Sequence, residues 1–421
     1  MKYKVLTFGC RANQADSCEL EQRLRAEGGA DASLDTAELV IVNTCSVTAT
    51  AEQAARQAIR RARRLNPTAR IVATGCYAAR DASELRTLPV SDVLSRDECL
   101  PIAFGRTRGS APTSPVGADP CVGPAIAPPG TNGRTIHLLR VQTGCDEACS
   151  YCIVPTTRGR SRSTALDDVV RQVDAAERAG FKQVMLTGVH LGSYGRDLVP
   201  ARSLAELVAR LGAHPSSLRF RISAVEPMDV SADLVAVLAA SDRFAHHFHL
   251  PLQHASDRLL AAMKRPYTVA EYHAALVRLR RAFPDAALGA DVIVGFPSES
   301  PEEFEACAAY IARSPLTYLH VFPFSPRPGT AAETMAGRPT AAEVRARVTS
   351  LRALGAELNR KFRQQFVGTS VDGLTIDDGT LVLTDNYLRV RIDAGLKRNE
   401  RVGVRIVADG DPLRGELIGR S

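Results

Sequence analysis

Three cysteines within eight residues, Cys145-x-x-x-Cys149-x-x-Cys152, stand just beyond the apolar run Ile136–Val141. That spacing dictates a tight loop at the carboxyl end of a strand, and the rest of the chain must be built to present it. In a reducing compartment ten cysteines do not read as a disulfide framework, and clustered thiols point to metal or redox chemistry. Three thiolates on one loop can hold three irons of a 4Fe–4S cluster and leave the fourth without a protein ligand. An open iron can be chelated by the amino and carboxylate groups of S-adenosylmethionine, which places its sulfonium beside a one-electron donor. A structural zinc loop is the alternative, but it wants four ligands in paired spacing, and no neighbouring His or fourth Cys completes such a set.

The same alternation of strand and helix runs through most of the sequence. Lys4–Phe8, Leu39–Val42 and Ile71–Thr74 read as strands separated by helical stretches near Ser17–Glu27 and Thr50–Leu65. Cys10, Cys45 and Cys76 each fall just past one of these strands. In an open parallel sheet those carboxyl ends share one edge, where ligands bind, so the three thiols can converge on a second cluster, again with one iron open. Singly, each is better read as a small buried hydrophobe. Cys18, Cys99, Cys121 and Cys307 share no such placement.

Between Gly105 and Gly133, six glycines and six prolines among 29 residues mark a linker. Beyond it, strands are expected at Ile136–Val141, Val184–Leu186, Phe220–Ser223, His247–Leu250, Ala290–Val294 and Tyr318–Phe322, which fits an open, partial (β/α)6 barrel. Ser163 or Thr164 is placed to cap the first intervening helix, and Gly180 to end it in a left-handed residue. After a helix around Ala341–Lys361 the pattern turns to β: Gly373–Ile376, Leu381–Thr384, Leu388–Ile392 and Val402–Val407. The fold class is therefore α/β, with an open parallel N-terminal domain (1–104), the linker (105–133), the barrel (134–360) and a small antiparallel β-barrel (361–421). No apolar run approaches the ~18 residues of a bilayer span and the N-terminus lacks a signal core, so a cytoplasmic protein without membrane contact is expected.

Lys and Arg total 53 against 46 Asp and Glu, a net charge of +7 that favours a polyanionic partner. With no Trp and 5% aromatics, phosphate contacts rather than base stacking are expected to carry RNA affinity. Two basic groups stand out: Arg56, Arg60, Arg61, Arg63, Arg64 and Arg70, and, in the last module, Arg389, Arg391, Lys397, Arg398, Arg401 and Arg405. Such runs are usually solvated faces; two on one chain shift the balance towards phosphate binding.

TFGCRANQADS, VNTCSVT, TGCYA, TGCDEACSYCIVPTTRGRSRS and LVLTDNYLRV together resemble the radical S-adenosylmethionine methylthiotransferase family, over almost the whole chain and in that family's order. The resemblance implies two 4Fe–4S clusters, S-adenosylmethionine, an external electron donor, a C-terminal TRAM module, and insertion of a methylthio group into an unactivated C–H bond. By it, Cys145, Cys149 and Cys152 hold the radical cluster, and Cys10, Cys45 and Cys76 the auxiliary cluster that presents sulfur. It also implies cofactor contacts at Tyr151, Gly188, Ser223, Glu226, Gln253 and Gly295, at strand ends where barrel sites gather; the second basic group makes Arg389, Arg391, Arg398 and Arg401 the expected RNA contacts. No side chain is expected to act as catalytic acid or base. His190 and the His246-His247-x-His249 cluster are expected to pack or hydrogen-bond rather than bind metal, since strand alternation sends His246 and His247 to opposite faces.

LTGVHLGSYGRDL and GCRANQ are most similar to the bacterial branch acting on threonylcarbamoyl-adenosine next to the anticodon, which makes the tRNA anticodon stem-loop the expected partner. The branches acting on isopentenyl-adenosine and on a ribosomal protein are the alternatives. An electron-carrying iron–sulfur protein and an RNA-binding protein with structural zinc are readings from other classes.

Overall fold

In the computed structural model, residues 1–96, 98, 99, 126–393 and 395–420 are described. The N-terminal segment folds as β1 (Lys2–Thr7), α1 (Arg11–Ala26), β2 (Ala30–Asp31), β3 (Leu39–Thr44), α2 (Ala49–Leu65), β4 (Arg70–Gly75), α3 (Cys76–Arg80) and β5 (Asp92–Val93). Its sheet is parallel, in the order β2-β1-β3-β4-β5. Every residue of β3 is buried, as a central strand covered on both faces requires. The three expected strands are present. Helix α1, however, begins at Arg11 and not near Ser17, because Cys10 takes the N-cap position with no capping side chain, so the helix start carries no sequence signal.

The second segment contains β6 (His137–Arg140), β7 (Gln142–Thr143), β8 (Arg162–Ser163), β9 (Gln183–Thr187), β10 (Arg219–Ile222), β11 (His247–His249), β12 (Ala287–Val294) and β13 (Tyr318–Pro323). Strands β6, β9 and β10 pair in parallel, as do β11, β12 and β13, and the bridge Ala224–His249 joins the two sheets into an open arc of six strands. Phe220, Ile222, Phe248, Leu288, Val292 and Val294 face the helices on the outside of the arc. With period-two alternation, Arg221, His247, His249 and Asp291 face its interior. The helix after β8 spans Leu166–Arg178 and ends with Gly180 at φ +91°, as expected, but neither expected cap residue caps it. Ala165 is its N-cap; Ser163 accepts from the Gly195 N–H and Thr164 donates to the Arg140 carbonyl, contacts that take both hydroxyls away from the helix end.

The last segment is a closed barrel of β14 (Ser370–Ile376), β15 (Leu381–Thr384), β16 (Arg389–Arg391), β17 (Arg401–Ala408) and β18 (Leu413–Arg420), antiparallel as expected except where β16 and β18 pair in parallel to close it. Four strands are expected from sequence; β18, LRGELIGR, closes the barrel although its charges and two glycines hide the strand pattern. The long helix Ala341–Gln364 runs across the expected boundary at 360/361, with Leu351 and Leu358 in the core of the arc and Phe362 in that of the closed barrel. Of the expected linker, residues 105–125, with Cys121, lie outside the described residues; Thr131–Gly133 forms a helical turn. Among the described residues, no helix is long and apolar enough to cross a membrane.

The arc is plugged from two sides. Ala15 of α1 packs on Leu138 of β6 and Met185 of β9. Tyr387, in the β15–β16 turn, stacks on His247 at 4.3 Å and lies under the Arg221 guanidinium at 4.9 Å. Arg221 is fully buried and donates to the Thr384 and Asp385 carbonyls, 3.1 Å each.

Candidate active site

The three N-terminal cysteines lie on adjacent strand ends: Cys10 after β1, Cys45 after β3, Cys76 after β4. Cys10 is exposed, whereas Cys45 and Cys76 are buried. Asn13 holds the three loops together, donating to the Phe8 and Thr44 carbonyls at 2.8 Å each while its side-chain oxygen faces the Cys76 thiol at 3.7 Å. Gly9, at φ +94°, sits so close to Cys45 that a Cβ there would overlap that side chain. Replacing it by alanine adds strain of ~1–3 kcal/mol. The expected outcome is that G9A, in a chain already lacking Cys145, Cys149 and Cys152, binds iron roughly tenfold more weakly or worse, read as iron per chain against free iron. Burial pushes the Cys45 thiol up to about 12 and raises Cys76 as well, so metal binding at these two must displace their protons.

Cys145, Cys149 and Cys152 occupy the loop between β7 and the short helix Val154–Arg158. The Cys145 N–H donates to the Gly159 carbonyl and the Cys152 N–H to that of Cys149, 3.1 Å each. Gln142 ties the loop to the β9 end: its amide nitrogen donates to the Thr143 and Gly144 carbonyls, and its oxygen accepts the Val189 and His190 N–H groups at 2.9 Å. Gly188 backs directly on Gln142 and has no room for a side chain. A buried arginine, Arg265, lies between Cys149 (3.2 Å), Tyr151 (3.5 Å) and Glu226, with which it forms an ion pair. Burial raises Glu226 and Tyr151, and raises Cys152 to about 12. His190 stands 3.9 Å from the Cys145 sulfur; burial opposes its charge, but the 2.7 Å bond to Asp229 and the nearby Cys145 outweigh it and hold its pKa up at about 10.

Ser223, Glu226, Gln253 and Gly295 stand beyond the carboxyl ends of β10, β11 and β12, the rim that also carries the cysteine loop. Gln253 (φ 63°) and Gly295 (φ +80°) turn the backbone sharply there. The buried hydroxyls of Ser223 and Thr187, at the ends of β10 and β9, have no hydrogen-bond partner among the described residues. Polar atoms orphaned at a strand-end rim, beside three thiols on one loop, fit a polar cofactor bound against a cluster.

The two thiol sets are joined by a short path. Arg158, six residues past Cys152, is buried and reaches across to Asn13 and to Asp16 at 2.8 Å, next to Cys76. Asp16, also buried, takes Arg140 at 2.5 Å and Arg96 at 3.6 Å as well. On the far side Arg327, past β13, pairs with Glu52 at 3.2 Å and donates to the Ser46 carbonyl at 3.4 Å, one residue from Cys45. The N-terminal sheet edge is thus held over the open end of the arc from both sides. Arg158, Asp16, Arg265 and Gln142 are absent from the sequence reading. Only the acid-free setting of Arg158, in CIVPTTRGRSRS, marks any of them in advance.

The histidines hydrogen-bond as expected: His246 to Asp285, and His247 and His249 to Tyr318, with His249 also 2.9 Å from Asp291. His249, Asp291 and His320 place ligand atoms within 4.8 Å of one another, and Asp291 is already shared by both rings. Of the expected RNA contacts, Arg389 and Arg391 stand exposed on β16. Arg398 turns to the Asp377 and Gly130 carbonyls, and Arg401 is partly buried. In α2, Arg60, Arg61 and Arg64 are exposed, while Arg56 pairs with Glu84; Arg70, at the start of β4, pairs with Asp92.

The class is set by the arc: residues 139–311 match the Radical SAM superfamily, and residues 2–95 match a family described as Uncharacterized protein family UPF0004. The fold is shared with the radical S-adenosylmethionine methyltransferase TsrM from Kitasatospora setae, with a TM-score of 0.56 and 18% identity over 79% of this chain and 74% of that one. The threonylcarbamoyladenosine tRNA methylthiotransferase MtaB of Bacillus subtilis (strain 168) is 32% identical over 96% of both chains, and that of Aquifex aeolicus (strain VF5) 33% over 93% of this chain and 96% of its own. The tRNA-2-methylthio-N(6)-dimethylallyladenosine synthase of Anaeromyxobacter dehalogenans (strain 2CP-C) is 37% identical over 80% of this chain and 74% of its own. The chain belongs to the radical S-adenosylmethionine methylthiotransferase family, whose members use S-adenosylmethionine and two 4Fe–4S clusters.

Proposed function

We propose that this protein adds a methylthio group to carbon 2 of threonylcarbamoyl-adenosine beside the tRNA anticodon. The reading rests on full-length relatedness to MtaB enzymes together with one observation: two three-thiol sets whose loops are linked through the Asp16–Arg158 ion pair. Cys145, Cys149 and Cys152 would hold the radical cluster and Cys10, Cys45 and Cys76 the auxiliary one. When bound, the clusters and S-adenosylmethionine supply reductive cleavage to a carbon radical and a methylated sulfur.

The chain's own residues bind and orient. Arg265 offsets negative charge at Cys149 while its pairing with Glu226 fixes that carboxylate at the rim, where the unpartnered hydroxyls of Ser223 and Thr187 are free to donate. Tyr151, Gly188, Gln253 and Gly295 complete the cofactor rim. The C-terminal barrel acts as a TRAM-type RNA module, with Arg389 and Arg391 the better placed phosphate contacts and Arg398 and Arg401 supporting the fold beside them. An external donor supplies electrons, and the work is cytoplasmic.

The test is mass spectrometry of tRNA nucleosides from a host lacking the modification, with and without this chain expressed. Appearance of 2-methylthio-threonylcarbamoyl-adenosine is expected. A gain on dimethylallyl-adenosine alone would transfer the substrate to the second branch, which the Anaeromyxobacter relative represents. No change despite iron-loaded protein would remove tRNA as the substrate.

A further inference from the structure

Arg11 follows Cys10 at the start of α1 and is exposed. Its guanidinium donates to the Tyr387 hydroxyl at 2.9 Å and has no carboxylate partner among the described residues. From that hydroxyl a continuous wall of rings runs along the inside of the arc. Tyr387 stacks on His247; His247 stacks on Tyr318 and hydrogen-bonds its hydroxyl at 2.8 Å; the Tyr318 ring lies 5.4 Å from His320. The wall ends exposed, with the His320 side chain 55% and Phe322 41% accessible, so a mouth opens along β13, and Arg11 stands at the other end of its wall.

The charge of this wall is positive. Asp291 is shared between His249 and His320, and Asp385 pairs with Arg219. Among the described residues Arg221 and Arg11 are left without an acid partner, Arg221 buried and Arg11 open to solvent. His247 is kept neutral, first by burial and then by those cations. An uncompensated arginine at a site entrance calls for an anionic oxygen group, and a planar guanidinium suits a carboxylate or a phosphate.

Adenine chemistry separates the two sources. Carbon 2 and the N6 substituent share one edge of the base with a single ring nitrogen between them, so whatever recognises the substituent must lie close to where sulfur is presented. Arg11 is one residue from Cys10. A dimethylallyl substituent would bring no charge to this wall, whereas a threonylcarbamoyl group ends in a carboxylate. Resting on the function proposed above, we infer that Arg11 receives the carboxylate of the threonylcarbamoyl substituent and makes this mouth selective for it.

The test uses the anaerobically reconstituted enzyme and three synthetic anticodon stem-loops, bearing threonylcarbamoyl-adenosine, its methyl ester, or dimethylallyl-adenosine. Dissociation constants are measured by fluorescence anisotropy for wild type, R11K and R11Q, with iron and sulfide content as the check on integrity. Wild type should bind the acid about tenfold more tightly than the ester, the worth of one charge-assisted pair. R11Q should abolish that ratio and R11K keep most of it, all three with equal iron. Equal binding of acid and ester by wild type would overturn the inference whatever the variants do. So would R11Q weakening all three RNAs alike, the signature of a phosphate contact. Wild type preferring the dimethylallyl RNA would instead refute the substrate reading itself.

Discussion

Changing Cys145, Cys149 or Cys152 to alanine is expected to cut 5′-deoxyadenosine formation to below ~1% of wild type, since even outer partners of metal ligands are worth ~10–100-fold. These thiols sit on one loop whose backbone is fixed by Gln142 and by the Cys145–Gly159 and Cys149–Cys152 hydrogen bonds, so the loop cannot shift to make good a lost thiol, and His190, the ring 3.9 Å from the Cys145 sulfur, is held by Asp229 at 2.7 Å. Changing Cys10, Cys45 or Cys76 should have a different result. Their strand ends belong to another sheet, so cofactor cleavage should persist while methylthio product vanishes. High-performance liquid chromatography of 5′-deoxyadenosine and product from the same reaction separates the two outcomes. Equal loss of cleavage in both groups, with the other cluster intact by iron count, would refute the division of labour.

Asp16→Asn should be the most damaging single change away from the thiols. Asp16 is buried and pairs with Arg158 at 2.8 Å across the junction between the N-terminal sheet and the arc, so removing its charge leaves the buried Arg158 guanidinium without a carboxylate among the described residues, while Arg140 keeps Glu19 at 2.6 Å. Breaking a buried pair from one side costs about 3–5 kcal/mol. A fall of that size in urea-unfolding free energy is expected, together with sulfur insertion falling more than cofactor cleavage, because the thiol sets lose their fixed separation before either loop is lost. A change under about 0.5 kcal/mol, the range of ordinary surface substitutions, would show that the junction is held by other contacts.

These two expectations differ in how far they could be read from the sequence. The thiol placement is local: a strand's apolar run and the cysteine after it are contiguous, and parallel order does the rest. Asp16, Arg158, Arg265 and Tyr387 owe their roles to partners 39 to 376 residues away, as with Arg265 and Glu226 or Tyr387 and Arg11, and no periodicity encodes such pairings. Local signals also failed where tertiary structure claimed the residue first. Ser163 and Thr164 have the chemistry of a helix cap but are committed to Gly195 and Arg140, and β18 closes its barrel with a sequence whose charges and glycines hide the strand pattern. The basic run at 389–405 was legible as charge, but not which arginines face solvent: Arg398 is tied to backbone carbonyls and Arg401 is partly covered.

That both thiol sets address one carbon of one base is tested most directly by isotope transfer. A stem-loop carrying threonylcarbamoyl-adenosine deuterated at carbon 2 is incubated with the reconstituted enzyme and reductant, and 5′-deoxyadenosine is analysed by mass spectrometry. Deuterium in 5′-deoxyadenosine, in step with methylthio product, is the expected result. Unlabelled 5′-deoxyadenosine accompanying full product formation would contradict it.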